Sequence, residues 1–213
     1  MFNSFSKARV LIVIFGLMCA APTMILAAPK SKALKTLNES FLTAVKQGNL
    51  NKAKFFVAQG ADVNAKNING NTALKLAVQN EQVVLVEFLL NKGVRVNDKN
   101  SDGETALFPA ATLGNLKIAK LLINKKININ ARAKDGTTAL IGAVFGEYMR
   151  TVTAKAGSTA LGKPGAGIPM IKFLISKGAN VNIKDNSGNT ALKMATQFKH
   201  TAIIDILRQA KAK

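Results

Sequence analysis

A five-residue phrase, Gly-x-Thr-Ala-Leu, opens in one register at Gly70, Gly103, Gly136 and Gly188 of this 213-residue chain, with a further copy at Gly157 outside that register. The steps between the copies in register are 33, 33 and 52, and the last is one period plus 19. Asn64, Asn97, Asn130 and Asn182 recur at the same steps. Gly60, Gly93 and Gly178 each stand four residues before one of those asparagines. Several residue types held in one register mark a tandem array. A single unit of such an array cannot bury its apolar face, so at least three must stack to be stable.

Each unit reads as two short helices. Thr72, Thr105, Thr138 and Thr190 are placed to cap the first helix through their hydroxyls. Leu74 with Ala77, Leu107 with Ala110, Leu140 with Ala143 and Leu192 with Ala195 have i, i+3 spacing and form its apolar stripe. The second helix packs through Val86, Leu89 and Leu90, then Ala119, Leu122 and Ile123, then Ile171, Leu174 and Ile175. Gly60, Gly93 and Gly178 end these helices where a left-handed residue is needed. Lys126 takes that place once, at a cost of about 1 kcal/mol. Pro109 falls inside a first helix, at the position of Leu76, Gly142 and Met194, and cannot donate to the capping residue's carbonyl. Thr36 and Glu39 have the spacing of a capping box before the first unit.

These segments resemble the ankyrin repeat over about residues 37–210. Asn69-Gly70-Asn71-Thr72-Ala73-Leu74-Lys75-Leu76-Ala77 is similar to the opening of that repeat, and residues 83–93 to its second helix. The family's Thr-Pro-Leu-His is replaced by Thr-Ala-Leu followed by Lys75, Phe108, Ile141 or Lys193. The resemblance implies an all-α solenoid of about five helix-turn-helix units joined by β-turn or hairpin fingers. The units are expected at about 37–67, 68–100, 101–133, 134–185 and 186–210, within an ankyrin-repeat domain spanning 37–213. It also implies a protein-binding scaffold whose partners dock on fingers and first helices.

The chain begins with a basic start (Lys7, Arg9), an apolar run and a small-residue end, the pattern of a secretory signal peptide. Cleavage is expected after Ala27, leaving a short leader over 28–36. Residues 10–28 are also long enough for a retained membrane anchor, although Pro22 and Thr23 interrupt them. Met18 before Cys19 is too large for lipoprotein processing. Cleavage would remove the sole cysteine, Cys19, which suits an oxidising compartment. A periplasmic or secreted location follows as an expectation.

The 19 extra residues are placed at about 148–166, between the helices of the fourth unit. Gly157, Gly162, Gly165, Gly167, Pro164 and Pro169 predict a mobile loop there. Residues 157–163 imitate the start of a phosphate-binding loop. Pro164 stands where a Ser or Thr must hold magnesium, and no strand precedes it, so no nucleotide is expected.

Charge is the remaining signal. Thirty Lys and Arg oppose 11 Asp and Glu, a net +19 that falls to +17 once Lys7 and Arg9 are cleaved away. Lys66, Lys99, Arg132 and Lys184 repeat with the array, each two residues after the repeated Asn. At about 10 Å per unit they form a row about 30 Å long, and they are the candidate partner-binding residues. An acidic protein is the expected partner, with an anionic membrane surface as a further contact. Nucleic acid suits the charge but not an exported chain. Replacing the row with Gln is expected to weaken binding with little loss of stability. A second ladder, Lys92, Lys125 and Lys177, complements the helix dipoles and aids solubility.

Catalysis is not expected. His200 is the only histidine, which leaves no two-His metal site, and no carboxylate pair has an evident catalytic setting. No cofactor or metal is expected, and a monomer is. Two other readings of the resemblance stay open: an inhibitor or immunity protein against an envelope-acting toxin or enzyme, and a support protein for oxidative-stress defence.

Overall fold

The computed structural model describes residues 27–160 and 162–212. Ten helices in this part pair into five units. They are α1 (Ala27–Lys46) with α2 (Leu50–Ala58), α3 (Ala73–Gln79) with α4 (Val83–Asn91), α5 (Leu107–Leu113) with α6 (Leu116–Asn124), α7 (Ala139–Lys155) with α8 (Ile168–Ser176), and α9 (Ala191–Gln197) with α10 (Thr201–Gln209). The first helices α1, α3, α5, α7 and α9 lie side by side in chain order, and α4, α6, α8 and α10 form a second row. The fold is the expected all-α solenoid.

One elongated core runs between the two rows. Ala77, Ala110 and Ala195 are fully buried, as are Val86, Leu89, Ala119, Leu122, Ile171 and Leu174. Burying a leucine of this kind is worth about 1.5–3 kcal/mol. The alanines leave room for neighbouring first helices to approach.

The fingers between units are tight turns. In the first, Asn67 N–H donates to Asn71 O at 3.0 Å and Gly70 N–H to Asn67 O at 2.9 Å. The same pair of bonds recurs at Asn100, Ala133 and Asp185. The motif glycines need their special backbone here: Gly70 has φ +69°, and a Cβ on it would stand 2.8 Å from Ser101 N of the next finger. Successive fingers are joined through the main chain, Ser101 N–H to Asn69 O, Lys134 N–H to Asp102 O and Asn186 N–H to Asp135 O.

Thr72, Thr138 and Thr190 cap α3, α7 and α9, accepting from the N–H three residues on. Thr105 does not act this way. Pro109 has no N–H for the Thr105 carbonyl, and the N–H of Phe108 bonds that carbonyl instead at 3.2 Å. The start of α5 slips to Leu107, with Ala106 at its cap. Pro109 therefore falls in the first turn, where a missing donor costs little.

At the second-helix ends, Gly60, Gly93 and Gly178 take φ +94°, +76° and +91°, and Lys126 adopts +60° in the same register. The capping box at Thr36 and Glu39 is not formed. Thr36 lies inside α1, and its hydroxyl donates to Lys32 O at 3.1 Å. Helix α1 begins at Ala27 and takes in residues 28–36. The rest of the signal-peptide reading, residues 1–26, lies outside the described residues. No helix among the described residues is long and apolar enough to cross a membrane.

The insertion departs most from expectation. Its first part is helix, because α7 runs on to Lys155, and among the described residues a loop over 156–160 and 162–167 follows. The cause is one register position. Glu81, Gly114 and Lys199 end their first helices with φ +54°, +74° and +54°. The equivalent residue in the fourth unit is Glu147, which stays helical, so nothing stops α7 there.

Candidate functional site

The repeated cations do come together in a row, and they do more than face solvent. Lys66 Nζ donates to Lys99 O at 3.0 Å, Lys99 Nζ to Arg132 O at 2.9 Å, and Arg132 Nη2 to Lys184 O at 3.0 Å. Each side chain thus reaches the main chain of its own counterpart one unit further on. All four residues remain exposed. Lys66 also pairs with Asp98 at 3.6 Å. No finger follows Lys184 among the described residues. The row is therefore a set of staples that stays exposed to solvent. Against the expectation that the row could be neutralised with little loss of stability stand these three bonds, each worth about 0.5–1.5 kcal/mol.

The repeated asparagines form a parallel set of staples. Asn64 Oδ1 accepts from Arg95 N–H at 2.7 Å, Asn97 Oδ1 from Asn128 N–H at 2.7 Å, and Asn130 Oδ1 from Asn180 N–H at 2.8 Å. Asn38 on α1 does the same for Asp62 N–H at 2.8 Å, which adds the first unit to the series. A shared period among polar residues is the sequence signal of this second role.

Beside the fingers lies a groove of about 830 Å³ between α1 and the first finger, lined by Leu34, Leu42, Ile68 and Leu76 with Lys35 and Lys66. Ile68 at the fingertip is 100 % exposed. A second exposed apolar group sits at the other end of the first-helix row. Phe145 is 44 % exposed, and Tyr148 stacks on Phe198 with ring centroids 3.8 Å apart.

Two ion pairs with a buried cation escaped the sequence reading. Lys75, which looked like a plain replacement for a family histidine, is buried, with Nζ 2.5 Å from Glu104 Oε2 of the next unit. Asn71 Oδ1 accepts a further bond from the same ammonium at 3.1 Å. The other pair is Glu147 with Arg150 on α7. Both are buried, and Arg150 Nη1 lies 3.7 Å from Glu147 Oε2. Glu147 accepts the amide N–H groups of Gly165 and Gly167 and so ties the loop at 165–167 to α7. His200 Nε2 stands 3.8 Å from Glu147 Oε1.

In the last finger, burial works against the charged form of Asp185. The N–H of Asn189, its side-chain amide, the N–H of Ser187 and the charge of Lys193 outweigh it, and hold the carboxyl below the usual range. The second ladder sits at helix C-caps, and Lys92 and Lys177 lie 5.9 Å from the ring centres of Phe88 and Phe173. Among the described residues no group of three or more His, Cys, Asp or Glu could hold a metal ion.

A stack of helix pairs joined by cross-stapled fingers defines a helical-repeat scaffold that offers contact area. Family models described as ankyrin repeats match residues 41–133, 96–157 and 166–208. The chain belongs to the ankyrin-repeat family, and such repeats are in general protein-binding scaffolds. An ankyrin repeat protein of Acanthamoeba polyphaga mimivirus is 48 % identical over 42 residues, 20 % of this chain and 10 % of that relative. The matched stretch is thus about a tenth of the relative's length.

Proposed function

We propose that this protein is an exported, non-enzymatic scaffold of the periplasm that acts as a monomer and docks an acidic protein across its fingers. The observation that carries the reading is the row Lys66, Lys99, Arg132 and Lys184. Three of its members are fixed finger to finger yet remain exposed. A pre-ordered line of positive charge favours an elongated acidic surface, because little side-chain freedom remains to be lost on binding. The net charge, +17 once Lys7 and Arg9 are cleaved away, adds long-range attraction.

Crosslinking of the tagged protein in its native envelope, followed by mass spectrometry, identifies the partner. Binding should then weaken with rising salt and fall at least tenfold when all four residues are changed to Gln. Affinity indifferent to both would remove the finger row from the reading. Cell fractionation tests the location, and a chain found wholly in the cytoplasm would end the export part of the proposal.

A further inference from the structure

The start of the array differs from the other units at two places that face each other. Among the described residues no finger precedes the first unit, and helix α1 runs through that place. Leu34 on α1 stands 33 residues before Asn67, in the register where Asn67, Asn100, Ala133 and Asp185 each open a finger turn. The first fingertip is also unlike its counterparts. Ile68 takes the position held elsewhere by Ser101, Lys134 and Asn186. Leu34 is 47 % exposed and Ile68 fully so. Both line the groove of about 830 Å³ between α1 and the first finger, and its other apolar walls, Leu42, Ala65 and Leu76, are buried. One exposed isoleucine on a surface is ordinary. Two exposed aliphatic side chains lining one apolar groove make a seat for an apolar group.

The charges around the groove favour an acidic occupant. Lys35, Lys46 and Lys66 line it, all exposed, against Glu39 and Asp62. Lys66 is also the first member of the finger row, so the positive excess continues from the groove to Lys99 and Arg132, with Asp98 beside Lys66. A neutral apolar ligand would leave these cations without partners. A purely acidic one would leave the aliphatic walls bare. A segment that carries both kinds of group matches both features of the surface.

We propose that the acidic partner seats one large aliphatic side chain, a leucine or an isoleucine, in this groove and lays its carboxylates over Lys35, Lys46 and Lys66. The anchor rests on the acidic docking proposed above and fixes where that docking begins. On binding, Leu34 and Ile68 are covered by the anchor. A few well-packed apolar contacts of this kind carry most of an interface's affinity, while the surrounding charges set direction and register.

Fluorescence anisotropy of the full chain with three labelled dodecapeptides tests this. One has Glu and Asp around a central Leu, one has Ser in place of that Leu, and one keeps the Leu with every acid changed to Gln. The acidic leucine peptide should bind at least tenfold more tightly than either of the others. Ile68→Ser and Leu34→Ser, both at exposed positions, should each weaken it fivefold or more and leave the serine peptide unchanged. Equal affinity for the leucine and serine peptides, or indifference to both substitutions, would overturn the anchor and leave the acidic docking standing. Equal affinity for the acidic and glutamine peptides would remove the acidic docking, and the proposal with it. Binding of none of the three at millimolar concentration would overturn both. A dimer in analytical ultracentrifugation that Ile68→Ser dissolves would put a second copy of the chain in the groove and overturn the proposal.

Discussion

Lys75 Nζ lies 2.5 Å from Glu104 Oε2 across the boundary between the second and third units, with the lysine side chain 4 % exposed and the glutamate 21 %. The two partners are unequally buried, so their loss should be unequal. Glu104→Gln leaves an ammonium in the interior with Asn71 as its remaining hydrogen-bond partner, and should cost about 2–3 kcal/mol. Lys75→Met leaves a carboxylate that can still reach water, and should cost about 1 kcal/mol. Urea unfolding of both variants measures the difference. Equal losses would mean that the pair is not held as described.

The finger row should show a gradient of its own. Lys99→Met and Arg132→Met each remove a staple to the next finger and should lose about 0.5–1.5 kcal/mol. Lys184→Met has no following finger and should stay within about 0.5 kcal/mol of the parent. Thermal melts at matched salt compare the three. A cost at Lys184 as large as at Arg132 would contradict the staple account.

The capping threonines offer a test with a built-in control. Thr72→Val, Thr138→Val and Thr190→Val keep the side-chain shape and remove the cap, so each should cost about 1 kcal/mol. Thr105 makes no side-chain cap bond to α5. Thr105→Val should therefore cost about half of that or less. Four denaturation curves suffice, and four equal costs would show that Pro109 had not displaced the cap.

Leu89 has no solvent exposure. Leu89→Asp places an unpaired carboxylate in the shared core and should unfold the array at room temperature. Leu89→Ala should cost about 2–5 kcal/mol and leave it folded. Circular dichroism separates the two. A melt of Leu89→Asp like that of the parent would mean that the core is placed wrongly.

Strong acid should loosen the last finger through Asp185. The Asp185 carboxyl is lowered in the folded chain, so its stabilising bonds are complete above the unfolded value, about 3.9, and are lost as pH falls through the folded value. Protection of the Asn189 and Ser187 amides from hydrogen exchange should hold at neutral pH and drop in strong acid. In Asp185→Asn that pH dependence should vanish. Persistence of the drop in the variant would assign it to another group.

The period of 33 residues was enough to place the helix pairs, the apolar stripes and the finger turns. Each role is local and returns where the short phrase returns in register with the array, whereas the copy at Gly157, out of register, opens no helix among the described residues. Three of the four threonine caps followed for the same reason, and the fourth failed through the proline four residues after it. The cation row was legible as a row, because its members share the period of the array. Their bonds were not, since each acceptor is a carbonyl on the neighbouring unit.

Glu81 and Glu147 mark the limit of reading a chain in order. They are the same amino acid in the same register of two units. One is exposed with φ +54°, while the other is buried, helical and bonded to the amides of Gly165 and Gly167. Local propensity cannot separate them. What differs is the company each keeps: Arg150 one helical turn on, loop amides 18 and 20 residues away, and His200 from the last unit. Sequence by itself determined that like units stack, because periodic apolar faces have to be covered by one another. Only the tertiary structure decided which polar side chains cross between units and which are buried, because hydrogen bonds and ion pairs depend on where residues distant in the chain come to rest.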